Sequence, residues 1–163
     1  MFSNGKVKTN LGLLVLRLGI GYMMFHHGYE KFQMIGTPAA DEMAKHFVNF
    51  LGIGPSASFT LAACGEAGGG LLVMLGLFTR LGALGAVITM ATAIYMVHWD
   101  DPTFMAFGVP KAKELALLYL IPFFAIFITG AGAISLDWLI AKKSPKMACL
   151  LGQGGVCDTD AKA

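Results

Sequence analysis

The chain has 163 residues and a net charge of +2, and 56% of its residues are hydrophobic whereas only 13% are charged. Soluble domains carry about 25% charged residues, so the composition argues against an ordinary soluble domain. The few lysines are spread over loops and tails, which argues against a nucleic-acid-binding surface. The length allows one domain, and the apolar runs approach the roughly 20 residues that cross a bilayer.

Four such runs predict an all-α protein, a four-helix transmembrane bundle. The first run begins with Leu11, and the second and third are separated only by Thr79 and Arg80. Pro122 lies inside the fourth, where neighbouring helices would have to accommodate its missing N–H. The predicted spans are about 10–29, 56–78, 80–99 and 113–133.

Between the first two spans, residues 41–51 have an amphipathic pattern. Met43, Phe47 and Phe50 fall on one helical face, and the charged residues lie mostly elsewhere. This pattern predicts a short interfacial helix. A plain loop is the alternative.

The distribution of charge predicts the orientation of the bundle. Four spans place both termini and the turn at Arg80 on one side, and basic residues are in excess there. By the positive-inside rule that side is cytoplasmic, so residues 1–9 and 141–163 would be cytoplasmic segments around a transmembrane domain at 10–140, in a bacterial-type inner membrane. Arg80 is predicted to be a topology anchor, with lipid phosphate binding as the alternative. All four histidines would then lie at the outer surface: His26, His27, His46 and His98.

Two charges fall inside the predicted spans. Arg17 lies in the first and Glu66 in the second, where a lone charge costs several kcal/mol and normally faces the interior with a partner. Counting about 1.5 Å per residue from the inner end of each span places them within reach of each other. We therefore predict that Arg17 and Glu66 form an ion pair in a buried polar core. A structural clamp and a proton-carrying role remain open.

A second group of polar residues is expected at the outer end. His27 and Lys31 are four residues apart on one helical face, His98 ends the third span and Glu114 begins the fourth. Such residues could ligate a metal, bind a quinone head group or transfer protons to one. The alternative is that interfacial histidines only cap helix ends. Beyond the fourth span, Ser135 is predicted to cap a short inner-surface helix.

Together these residues resemble the DoxX family of small four-helix membrane proteins. The resemblance covers about residues 11–139 and lies in segments 16–19, 27–31, 65–70, 76–81 and 135–137. Glu30 stands where the family often has glutamine. The resemblance implies an association with redox chemistry, since relatives include subunits of thiosulfate:quinone oxidoreductase.

The leading hypothesis is a quinone-linked redox subunit of a membrane complex. In it the outer pocket of His27, Lys31, His98 and Glu114 would hold the quinone. A non-catalytic accessory subunit and a small transporter are the alternatives, although no inverted repeat is evident. No ligand set for haem, flavin or an iron–sulfur cluster can be assembled, so electrons would come from a partner subunit or a diffusible quinone. The substrate and self-association are left open.

Overall fold

The computed structural model describes residues 4–45, 47–106 and 112–152 and confirms the all-α class. These ranges contain seven α-helices and no strand. The predicted tail beyond residue 152 lies outside the described residues. The helices are α1 (Asn4–Met34), α2 (Pro38–Lys45), α3 (Pro55–Leu75), α4 (Thr79–Thr92), α5 (Glu114–Thr129), α6 (Leu136–Lys143) and α7 (Pro145–Leu150).

Two helical segments of the described chain are long and apolar enough to cross a membrane. They are α3 and the continuous helix formed by α4 with the π-helical turn that follows it, Thr79–Val97. The apolar α5 is shorter, at 16 residues. The helix α1 is longer than the predicted first span, because it begins at Asn4 rather than at residue 10.

Glycines determine how the long helices pack. A Cβ on Gly28 of α1 would lie 2.2 Å from the backbone nitrogen of Ala67 on α3, and one on Gly70 would lie 2.5 Å from that of Phe25. Gly69 is similarly close to the carbonyl of Gly82 on α4. α3 therefore approaches α1 and α4 at backbone distance, as expected where small residues mediate helix packing.

The buried core lies between α1, α3, α4 and α5. Its apolar members are Met24, Val73, Ala83, Ala86, Met90, Ala116, Tyr119, Phe123 and Ile126. α4 packs against α5, which also contacts α1. These four helices thus share one core, whose end near Tyr119 leads to the polar residues described below.

The predicted interfacial helix begins and ends earlier than expected. The structure places α2 at Pro38–Lys45, and residues 47–49 are irregular before a 3-10 turn at Phe50–Gly52. Pro38 suits the first helical turn, where its missing N–H costs nothing, and Thr37 Oγ1 accepts a hydrogen bond from Ala40. Thr37 and Pro38 therefore determine where α2 begins. The prediction from the amphipathic pattern placed the start of this helix too late in the chain. His46 lies outside the described residues.

The end of the molecule near α6 is held by capping side chains. Ser135 Oγ accepts a hydrogen bond from Trp138 N, which confirms the predicted cap. The buried Asp137 accepts hydrogen bonds from the backbone N–H groups of Phe78 and Thr79, at 2.7 and 2.9 Å. A carboxylate at these positions satisfies free donors of the first turn of α4. α6 is thereby fixed to the α3–α4 turn.

Candidate functional site

The main candidate site is a cavity with a mixed polar and apolar lining, at the end of the core opposite α6. Its volume is about 220 Å³, below the roughly 300–1,000 Å³ of pockets that enclose whole drug-sized ligands. It therefore has room for a head group or a small ring. Five chemically active side chains line it together with apolar residues of α4 and α5: His27, Lys31, Glu66, His98 and Tyr119.

Among the residues that line the cavity, Lys31 and Glu66 form an ion pair between α1 and α3. Lys31 Nζ lies 2.7 Å from Glu66 Oε1. The Glu66 side chain is 2% exposed and that of Lys31 is 20% exposed. The close approach of Gly28 to Glu66 and Ala67 brings the helices near enough for this contact. A buried carboxylate needs such a partner, because an unpaired charge is costly in the interior.

The predicted ion pair between Arg17 and Glu66 is wrong, although both side chains are buried. The Arg17 guanidinium donates hydrogen bonds to the backbone carbonyls of Ala131 and Ile134, the latter at 2.9 Å. These carbonyls follow α5, which ends at Thr129 and is capped by Gly130. Arg17 therefore binds the loop between α5 and α6 and has no part in the cavity.

The cause of the error is the register between α1 and α3. The guanidinium of Arg17 lies beside Gly76, at the end of α3, whereas Gly28 lies level with Glu66. The prediction placed Leu11 level with Phe78. Relative to the structure, this shifts α1 along α3 by about five residues, on the order of 8 Å. α1 extends to Asn4, so the N-terminal end of its apolar run does not mark the N-terminal end of the helix.

His98 reaches the cavity after a π-helical turn. The turn comprises Ala93–Val97 and is closed by a hydrogen bond of 3.0 Å from His98 N to Ala93 O, five residues back. Such turns occur often at functional sites, because one extra residue rotates the following side chains relative to a regular α-helix. His98 Nδ1 lies 2.7 Å from Asp101 Oδ2, which fixes the ring orientation.

Of the predicted pocket residues, His27, Lys31 and His98 line the cavity and Glu114 does not. Glu114 Oε2 accepts a hydrogen bond of 2.8 Å from Met105 N and so holds the loop before α5. Sequence analysis missed Tyr119, whose ring stacks on that of His27 with centroids 6.4 Å apart. The available signal was that Tyr119 lies little more than one turn after the start of α5. The sequence alone does not show which face of α5 packs against the cavity.

The cavity lining offers both hydrogen-bond donors and acceptors. Within the described ranges, no group of three or more His, Cys, Asp and Glu side chains could hold a metal ion. Lys31 and the Tyr119 hydroxyl can donate, and Glu66 can accept. Arg80 lies at the other end, where its Nη2 donates to Ile128 O at 3.2 Å. Its role as a topology anchor stays a prediction.

Comparison with known protein families identifies the class to which this architecture belongs. The family model DoxX matches residues 12–99, and the model described as TQO small subunit DoxD matches residues 56–152. The chain belongs to the DoxX family. Membership and the apolar helices indicate a membrane protein, and the recognised segments include both Lys31 and Glu66.

Curated relatives cover nearly the same length. An uncharacterized protein of Haemophilus influenzae is 32% identical over 131 residues, which are 80% of this chain and 92% of the relative. The protein named "Putative oxidoreductase CatD" of Bacillus subtilis is 32% identical over 133 residues, which are 81% of this chain and 89% of the relative. No solved structure matches the chain.

Proposed function

We propose that the protein is a membrane subunit of a redox system and binds the head group of a quinone in the cavity around Lys31 and Glu66. The main support is that an ion pair, two histidines and a tyrosine line one small cavity beside the apolar core. A quinone ring needs a flat apolar slot with donors for its carbonyls, and Lys31 and Tyr119 supply such donors. The names of the DoxD model and of the Bacillus relative support the redox association.

The proposed setting is a bilayer spanned by α1, α3, α4 with its π-helical turn, and α5. In support, Val15, Leu81 and Ile121 lie on three of these helices and are each 64–65% exposed. Large apolar side chains facing outward suit contact with lipid. The termini, residues 1–9 and 141–163, would face the cytoplasm of a bacterial inner membrane, with 10–140 as the transmembrane domain. The cavity would then open towards the outer leaflet.

Tryptophan fluorescence tests quinone binding directly. Trp99 adjoins His98, and Trp138 lies at the opposite end. In nanodiscs, a short-chain benzoquinone should quench a Trp138→Phe variant saturably, through Trp99, and a Trp99→Phe variant only weakly and linearly. His98→Ala in the Trp138→Phe background should weaken binding. Linear quenching in all three variants would reject the proposal.

The second candidate function is an accessory subunit without a ligand of its own. The description of the DoxD model as a small subunit favours it, since it implies a larger assembly. The test is co-purification in mild detergent from the native membrane. A stable partner that is retained by the His27→Ala and His98→Ala variants, together with no quinone binding, would support this function in place of the first.

A further inference from the structure

One carboxylate oxygen of a cavity-lining residue has no hydrogen-bond partner among the described residues. It is Oε2 of Glu66, whose other oxygen is bound by Lys31. The side chain is 2% exposed, so bulk water does not replace a partner. A buried acceptor of this kind favours a ligand that brings a hydrogen-bond donor, because leaving it unsatisfied is costly.

A second acceptor follows from the contact between His98 and Asp101. A carboxylate can only accept, so the 2.7 Å contact requires Nδ1 to carry the hydrogen. In the neutral ring this leaves Nε2 as an acceptor, and Nε2 makes no hydrogen bond to any described residue. His98 lines the same cavity as Glu66. With a neutral His98 ring, the cavity lining thus offers two acceptors: the buried Glu66 Oε2 and, on a side chain that is 27% exposed, His98 Nε2.

We infer that the cavity binds the reduced, dihydroxy form of a quinone more tightly than the oxidised form. This inference rests on the proposed quinone site. The two O–H groups of a hydroquinone can donate to Glu66 Oε2 and His98 Nε2, whereas the oxidised ring carries only carbonyl acceptors, offers neither group a donor and leaves the buried Oε2 unsatisfied. The donors Lys31 and Tyr119 serve either form, because hydroxyl oxygens also accept. The difference between the forms thus comes from Glu66 and His98.

The expected preference is at least about tenfold, because leaving the buried Glu66 Oε2 without a donor is costly. A tenfold preference corresponds to a difference of about 1.4 kcal/mol in binding free energy. The experiment measures the affinity of the protein in nanodiscs for a short-chain benzoquinone and, under anaerobic conditions, for the corresponding hydroquinone. The Glu66→Gln variant replaces one oxygen by a donor amide and should lower the preference several-fold, with His98 supplying the remainder. Its matched control is Glu30→Gln, which changes an exposed glutamate on α1 and should leave the preference unchanged.

Asp101→Ala supplies a second, independent variant should Glu66→Gln fail to fold. Without the carboxylate, Nδ1 of His98 no longer has to hold the hydrogen, so the preference should fall several-fold. If wild type binds neither form, the quinone site itself is refuted. Equal affinities, or tighter binding of the oxidised form, would overturn only this inference. An undiminished preference in both the Glu66→Gln and the Asp101→Ala variants would overturn it too.

Discussion

Lys31 on α1 and Glu66 on α3 form an ion pair of 2.7 Å, in a cavity that neither helix could build alone. The pair connects packing to proposed function, because it both joins the two helices and presents charged atoms to the cavity. Gly28, three residues before Lys31, makes the close approach feasible.

Breaking the ion pair from the lysine side should destabilise the protein strongly. Lys31→Met leaves the buried Glu66 carboxylate uncompensated, and we expect a loss of about 3 kcal/mol in the free energy of unfolding, at the lower end for buried pairs because Lys31 is partly exposed. Titration with sodium dodecyl sulfate measures this loss. The double variant Lys31→Met/Glu66→Gln should recover part of it.

Lys45→Met is the matched control for the ion pair. Lys45 pairs with Glu42 on α2, and both side chains are about two-thirds exposed. Removing an exposed pair should change the free energy of unfolding by less than about 1 kcal/mol. Equal losses for Lys31→Met and Lys45→Met would contradict the burial argument.

A methyl group on Gly28 should separate α1 from α3. The added Cβ would meet the backbone nitrogen of Ala67 at 2.2 Å, and backbone cannot move aside as a side chain can. Gly28→Ala should therefore cost about 2–3 kcal/mol, as for overpacked interfaces. A Cβ on Gly12 or Gly19 would meet nothing within 4 Å. Their alanine variants should unfold at the wild-type detergent concentration or above it, and a loss as large as that of Gly28→Ala would refute the packing argument.

Removing the cap of α4 should cost more than removing the cap of α6. Asp137 satisfies two N–H groups near the start of α4, whereas Ser135 satisfies one in α6. We expect Asp137→Ala to lower the free energy of unfolding by about 2 kcal/mol and Ser135→Ala by about 1 kcal/mol. Detergent titration of both variants gives the comparison. The reverse order would show that Asp137 does not fix the α3–α4 turn.

Shortening the π-helical turn should remove His98 from the cavity. Deleting Met96 would convert the turn into regular α-helix and rotate the following residue by about 100°. We expect at least a tenfold loss of benzoquinone affinity with the helix content retained, measured by quenching of Trp99 and by circular dichroism. Met96→Ala keeps the length of the turn and should bind normally. Full affinity in the deletion variant would exclude His98 from the site.

Much of the helical layout could be predicted from the sequence, because local chemistry sets helix ends. Gly76 and Gly130 follow α3 and α5 with positive φ, close to where the apolar runs end. The Ser135 cap was likewise correct. The structure also places His27, Lys31 and His98 along one cavity, since residues at the same end of neighbouring helices lie at similar levels.

The partners of Arg17 and Glu66 could not be predicted in the same way. They depend on the register and rotation of α1 against α3, which the close contacts at Gly28 and Gly70 determine. Tyr119 was missed for the same reason. Arg17 also bonds to backbone carbonyls, and a search for side chains of opposite charge overlooks such acceptors.

Photocrosslinking tests the central claim, a quinone head group in the cavity around Lys31 and Glu66, most directly. A photoreactive benzoquinone would be crosslinked to the protein in nanodiscs and the adducts mapped by mass spectrometry. The account predicts adducts at cavity-lining residues such as Lys31, His98 and Tyr119, which excess unlabelled benzoquinone removes. Adducts confined to outward-facing residues such as Val15 and Ile121, and insensitive to competition, would contradict it.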